Sequence, residues 1–407
     1  MTRAPAPGGL LAHGMGREAA EPDWAPLTTA EVTGVLSRYD LPGAGAVPGG
    51  IQVTWRSPRP FSAAALVRWA GHAVFVKRHH HRVRTGRQLL PEHAFARHLA
   101  SRGLPVPAVL KLAGGGTAFA RGGFVYEVHE VAAGVDLYRD AVSWSPFASA
   151  GHAWAAGATL ARLHRAASGF GRPQRPLRVL VGSAAIVSAR DPLGRVGALL
   201  TARPSLAGYL RGRDWRGDLA HDVLPMAARA APLLARLPRR WGHGDWHPSN
   251  LTWSDASGGA RVAGIFDFGL ANRTFAVHDL AVALERSTVA WLDLAESGRA
   301  GVDLPAVDAL LAGYEAVRPL AAREAAALPA VLPVAHAEFA LSETEYFAGV
   351  LGSVDLADLA YHTYLLGHAR WFRGRDGSAL LRHLRAWAAR PGRPGGAERC
   401  QDTGNAK

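Results

Sequence analysis

Asp245 and Asn250 stand five positions apart in WGHGDWHPSNLTW, and Asp267 follows in GIFDFGLAN. Carboxylate and amide oxygens are hard ligands of the kind Mg²⁺ takes, and a carboxylate on a loop can accept the proton of an attacking hydroxyl. Lys at these positions could not ligate Mg²⁺, and Gln in place of Asn250 would move the ligating oxygen by about one bond length. Each piece alone is ordinary: HPSN is also a turn with a helix cap, and IFDF a core strand with one polar end. Together, a loop Asp, an amide and a second Asp at a strand end suit metal-assisted phosphoryl transfer.

These residues need a hairpin and a sheet to hold them. NLTW and RVAGIFDF flank the turn SDASGG and read as a short hairpin, with Asp245 on the loop before it and Asp267 ending its second strand. From about Gly50 to Val131 the signals are strand-like: IQVTWR, ALVRWA, AVFVKRH and GGFVYEVHEV, separated by Gly, Pro or Ser turns. One helix interrupts them, LLPEHAFARHLASRG, with Pro91 near its start and Gly103 as its stop. After Gly134 the chain turns to Ala- and Leu-rich helical segments such as HAWAAGATLARLHRAA and HDVLPMAARAAPLLARL. No fixed-period repeat is present.

The chain has 407 residues, 48% of them hydrophobic, enough for a large core. Its uninterrupted apolar runs are short, well under the roughly 18 residues of a membrane span, so no membrane partner is expected. The opening residues lack the apolar core of a secretory signal. Cys400 is the single cysteine, which excludes internal disulfides and thiolate zinc sites and points to the cytoplasm. The net charge of +13 raises the question of nucleic acid. Lys occurs only at 77, 111 and 407, so nearly all 46 basic residues are Arg, and they are spread along the chain. That pattern reads as a solvated basic surface, with no nucleic-acid partner. The densest run, KRHHHRVRTGR, reads as an exposed strand end and loop, because consecutive His side chains alternate sides and cannot all meet one ion.

HGDWHPSN and IFDFG resemble the catalytic loop and the metal-binding Asp of the aminoglycoside phosphotransferase and choline-kinase-like superfamily, relatives of protein kinases. VFVKRH resembles the third-strand Lys segment, PEHAFARHLASRGLPVPAVL the following helix with its ion-pair Glu, and HEVAAG the hinge. LARLH and VHDLAVALE resemble two signatures of the second lobe, so the likeness runs from about Gly50 to Leu294. The resemblance implies an α+β, bilobal protein-kinase-like fold, with a β-rich N-terminal lobe and a mainly helical C-terminal lobe. The expected division is a disordered leader at 1–22, a nucleotide-binding lobe at 23–132, a catalytic and acceptor-binding lobe at 133–391 and a disordered tail at 392–407. It implies Asp245 as catalytic base, Asn250 and Asp267 as Mg²⁺ ligands, and Lys77, oriented by Glu92, on the ATP phosphates. Backbone groups of Glu130 and Ala132 would meet the purine. His243 and Asp279 would brace the loop. His164, at helical spacing from Leu160, reads as a core-edge histidine, and the 12 Trp as packing.

One departure stands out. Between the first two strands RSPRPFSAA has no Gly-rich loop; small-molecule kinases of the superfamily it resembles often use a hydroxyl in this turn, and the resemblance implies Ser62 for that place. No APE segment follows Asp267, which disfavours a protein kinase; a nucleotide-binding pseudokinase is disfavoured by the complete Lys77, Asp245, Asn250 and Asp267 set. The expected activity is ATP- and Mg²⁺-dependent phosphorylation of a small-molecule hydroxyl: an aminoglycoside, amino alcohol, hydroxy amino acid or sugar. Asp293, Glu296, Glu338, Glu343 and Glu345 on the C-terminal helices would favour a cationic acceptor if they face the cleft, and would look the same if they faced water.

Overall fold

In the computed structural model the described residues are 22–39, 50–69 and 72–394. β1 (Gln52–Arg56), β2 (Ala63–Trp69), β3 (His72–His80), β4 (Ala118–Arg121) and β5 (Phe124–Glu130) form an antiparallel sheet in the order β1-β2-β3-β5-β4. Alternation along β3 sends Val74 and Val76 into a small core under α1 (Thr29–Leu36) and turns Phe75 and Lys77 to the opposite face. In register, Lys77 sits between Ala64 of β2 and Glu127 of β5. α1 is held at the sheet by Glu31, which accepts from Arg78 at 2.7 Å and from the Tyr126 hydroxyl at 2.7 Å. α2 (Gly86–Ala100) starts where Gln88 Oε1 accepts the Thr85 N–H at 2.8 Å, and it buries Leu89, Phe95 and Leu99.

The second lobe contains α3 (Ala150–Ala166), α4 (Pro192–Ala202), α5 (Pro204–Leu210), α6 (Trp215–Asp222) and α7 (Leu224–Leu234) before its short strands. After them come α8 (Ala276–Thr288), α9 (Leu294–Ser297), α10 (Leu304–Val317), α11 (Ala322–Val331), α12 (Ala337–Glu345), α13 (Val354–Leu359), α14 (His368–Arg373) and α15 (Arg375–Ala388). Pairing of α3 with α10 needs glycine: a Cβ on Gly157 would strike the Leu310 carbonyl, and one on Gly313 the Trp154 carbonyl. A single large core, including Trp241, Trp246, Trp253 and Trp291, fills this lobe.

The hairpin exists as β7 (Leu251–Trp253) against β8 (Val262–Ile265). A second pair, β6 (Arg239–Gly242) with β9 (Asn272–Phe275), was not anticipated; it encloses the hairpin and brings the two ends of the catalytic segment together. The helical run Ala322–Leu351 is long and apolar enough to cross a bilayer by length and composition alone, although its uninterrupted apolar runs are short. With 89% of its apolar window buried, it is packed as a core helix. The leader at 1–21 and the tail from 395 lie outside the described residues. Arg393, within the expected tail, is ion-paired with Glu315 and lies over Trp387 at 4.1 Å.

Candidate active site

The loop carrying Asp245 is fixed before any ligand enters. Gly244 has φ of +77°, and a Cβ there would meet the Leu270 carbonyl at 2.6 Å. Asp279, at the start of α8, accepts the His243 N–H at 2.8 Å and the Gly244 N–H at 2.7 Å. His164 holds the same carboxylate at 2.9 Å and is itself completely buried, bonded through Nδ1 to the Tyr314 hydroxyl at 2.6 Å. Burial alone would raise the Asp279 carboxyl; His164, His243 and the Gly244 N–H outweigh it and keep it below its ordinary value. His243 Nε2 meets the Phe266 carbonyl at 3.0 Å, and its Nδ1 accepts the Asp245 N–H at 3.2 Å, so one imidazole links the loop to the strand ahead of Asp267.

Asn250 closes the loop by donating Nδ2–H to the Asp245 carbonyl at 2.8 Å, which leaves Oδ1 as the amide atom able to ligate a cation. The Phe266 N–H donates to the Asn250 carbonyl at 3.2 Å, and this backbone bond sets Asn250 beside Asp267. Asp267 has φ of +59° and begins a tight turn through Leu270. Its Oδ1 pairs with Lys77 Nζ at 3.0 Å. Each partner registers the other: burial would raise Asp267 and lower Lys77, yet the pair holds the carboxyl down and the ammonium up. Lys77, Asn250 and Asp267 line one cleft between the lobes, about 1320 Å³ counted to its open mouth, together with Ser62, Glu92, Glu130 and Ala132. The donor set suits Mg²⁺: two hard oxygen groups on adjoining chain segments, one of them an ionised carboxylate.

One expectation needs correction. Glu92 does not orient Lys77 by a direct pair; its Oε2 lies 3.0 Å from Arg175 Nη2. Arg175 is anchored to the loop after Asp267, donating to the Gly269 and Ala271 carbonyls at 2.9 Å each, so its guanidinium reaches α2 first. Glu92 still adds to the field that raises Lys77, though less than Asp267 or Glu127. The Glu130 N–H is already bonded to the Ala108 carbonyl at 2.9 Å, so Glu130 can offer a purine only its carbonyl.

Several residues at the site escaped sequence reasoning. Arg286 of α8 forms an ion pair with Asp245 Oδ1, and His247 Nε2 lies 3.4 Å from the same oxygen. Burial would raise the Asp245 carboxyl, but Arg286 and His247 overwhelm it and hold it far below the usual carboxylate range. Arg286 stands two helical turns beyond Asp279 on the same face of α8, the one signal that could have found it. Arg59, from the β1–β2 turn, faces the cleft and donates to Ser143 Oγ at 2.5 Å. Buried Arg84 bonds the carbonyls of Leu180 and Gly269, tying the end of the basic run to the Asp267 turn. That run is no exposed strand end: Arg78 and His79 are buried on opposite faces, and His79 Nε2 meets Glu127 Oε1 at 2.8 Å.

The acidic candidates on the C-terminal helices are divided by their partners. Glu338 accepts the Ile186 and Val187 N–H groups, and Glu345 pairs with Arg203. Glu343 is fully buried with neither carboxylate oxygen hydrogen-bonded, and burial pushes its carboxyl well up despite the opposing charge of Arg286. The side chain of Glu296 lies outside the description, and Asp293 begins the turn into α9.

The chain matches the family model of the phosphotransferase enzyme family, APH, over residues 60–341. It is 32% identical over 192 residues to a homoserine kinase of Phenylobacterium zucineum, covering 47% of this chain and 50% of that one. A homoserine kinase of Polaromonas naphthalenivorans is 30% identical over 247 residues, 60% of this chain and 67% of that one. The chain thus spans about half the length of several curated relatives it matches. Among solved structures, the amicoumacin kinase hAmiN in complex with AMP-PNP, Ca²⁺ and Ami superposes with a TM-score of 0.50 at 16% identity, covering 87% of this chain and 95% of that one. This is a likeness of fold.

Proposed function

This chain belongs to the phosphotransferase enzyme family, and from that premise we propose that it transfers the γ-phosphoryl group of ATP, with Mg²⁺, to a hydroxyl of a small molecule. The observation that carries the reading is the meeting of Lys77, Asn250 and Asp267, from three separate segments, along the cleft between the lobes, with Asp245 tied to Asn250 through its backbone carbonyl. Asn250 Oδ1 and the Asp267 carboxylate would hold Mg²⁺, which would supply neutralisation of charge on the transferring phosphate. Lys77 exchanges its bond with Asp267 for the nucleotide phosphates, with Ser62 and Arg59 on the turn above. Asp245 accepts a hydrogen bond from the attacking hydroxyl. A carboxylate so strongly held ionised by Arg286 is a weak base in the ground state. In a loose transition state the hydroxyl becomes acidic only as its oxygen bonds phosphorus, so Asp245 orients first and takes the proton late. The bond to the β–γ bridging oxygen breaks, and ADP leaves.

Glu343 is completely buried and outside the cleft lining, so support for an amine-bearing acceptor comes from the relatives. The homoserine kinase names of the relatives support a hydroxy amino acid within that class. The test is labelled-phosphate transfer from ATP to aminoglycosides, amino alcohols, hydroxy amino acids and sugars. Divalent-dependent labelling of a small molecule is expected; nucleotide binding without transfer to any acceptor, or transfer to protein alone, would overturn the reading.

A further inference from the structure

We propose that the sheet wall of the cleft carries a transition-metal site of its own, with His93 Nε2, a Glu127 carboxylate oxygen and His129 Nε2 as ligands for Zn²⁺ or an ion of similar softness. The three ligand atoms lie within 4.8 Å of one another. Glu127 Oε2 is 2.5 Å from His93 Nε2 and 3.2 Å from His129 Nε2. Two of the ligands come from β5 at positions i and i+2, which the strand's period of two places on one face. The third comes from α2, directly across from them.

The groups behind the ligands are also in place. His93 Nδ1 bonds Thr117 Oγ1 at 2.7 Å, which fixes the ring and aims Nε2 at Glu127. His79 Nε2 bonds Glu127 Oε1 at 2.8 Å, so the carboxylate is steered from its far side. His93 and Glu127 are buried, whereas the His129 side chain is 22% exposed and all three residues line the cleft. Three protein ligands with a fourth position open to a cleft describe an exchangeable site, with an entry path. Two nitrogens and one oxygen select Zn²⁺ or Co²⁺ over Mg²⁺, whereas Asn250 and Asp267 offer only oxygen. The two sites are thereby separable by metal, and this one stands whether or not the chain transfers phosphate.

The experiment titrates the chelator-stripped full chain with Zn²⁺ against a chromophoric chelator, with excess Mg²⁺ present to occupy the oxygen site. One equivalent of Zn²⁺ is expected to bind, weakened at least tenfold by His129→Ala and by His93→Gln, and unchanged by His72→Ala, an exposed histidine on β3. Co²⁺ should give the intense visible absorption of a four-coordinate ion, lost in His129→Ala. Circular dichroism checks each fold; if the buried His93→Gln unfolds, the partly exposed His129→Ala decides. Absence of Zn²⁺ binding in the parent protein, or equal affinity in parent and His129→Ala, would overturn the proposal.

Discussion

Replacing Arg286 with Met tests what the buried ion pair does for Asp245. The Arg286 side chain is 3% exposed and that of Asp245 19%. Met fills much of the volume that packs beside Trp144 and Phe339 but removes the charge. Removing one partner of a buried pair costs about 3–5 kcal/mol; the residual exposure of Asp245 and the His247 imidazole at 3.4 Å place the loss at the lower end. The pH dependence is more diagnostic than the size. In the parent, the folded carboxyl lies far below its unfolded value near 3.8, so its stabilisation is present above that value and lost as pH falls through the folded one. In Arg286→Met, burial becomes the leading influence and the folded carboxyl rises above its unfolded value. Its protonation then stabilises the fold at low pH, and that contribution is lost as pH climbs through the raised value. Glu343, already pushed up by burial, also loses the opposing charge of Arg286 and adds a change of the same sign. Urea midpoints from about pH 4 to 7 should therefore show the gap between variant and parent widening as pH rises. The variant's kcat should also fall on the acid side in a range where Asp245 gives the parent no such limb. Parallel stability profiles, and an unshifted acid limb, would refute the reasoning.

Two further outcomes concern the nucleotide end of the cleft. Lys77→Arg should lower kcat/KM by roughly 10²-fold, because a planar fork cannot occupy the compact position of an ammonium 3.0 Å from Asp267. Lys111→Arg, on an exposed stretch away from the cleft, should leave it within about threefold, and steady-state kinetics on the pair reads the difference. Asp267→Ala should weaken Mg·ATP binding as well as turnover, since it removes a charged ligand and leaves Lys77 without its direct partner; calorimetry showing unchanged affinity would contradict that role.

Period and punctuation made much of the frame legible. The strand signal of AVFVKRH put Lys77 on a strand of the sheet, and SDASGG marked the hairpin that carries Asn250 and Asp267. Long-range capture was not legible. Arg175 takes Glu92 because Asn272 of β9 accepts its backbone N–H and the turn after Asp267 holds its guanidinium near α2, a placement no local spacing encodes. Likewise HAEFALSETEYF looks half polar, yet Glu338 and Glu345 are satisfied internally by the N–H groups at 186–187 and by Arg203. Those interspersed carboxylates also broke the apolar runs, which hid how thoroughly the helical stretch Ala322–Leu351 is buried. α1 escaped because eight residues with a glycine among them carry little periodic signal, while the sheet supplies the apolar surface that stabilises it.

The central claim, that Asp245 serves a phosphoryl transfer at this cleft, is tested most directly by comparing parent and Asp245→Asn for labelled-phosphate transfer and Mg·ATP affinity on the same preparations. The amide keeps the side-chain shape but cannot take the hydroxyl's proton. The account predicts transfer reduced by about 10²-fold or more with nucleotide affinity nearly unchanged. Transfer by Asp245→Asn at the parent rate would contradict it.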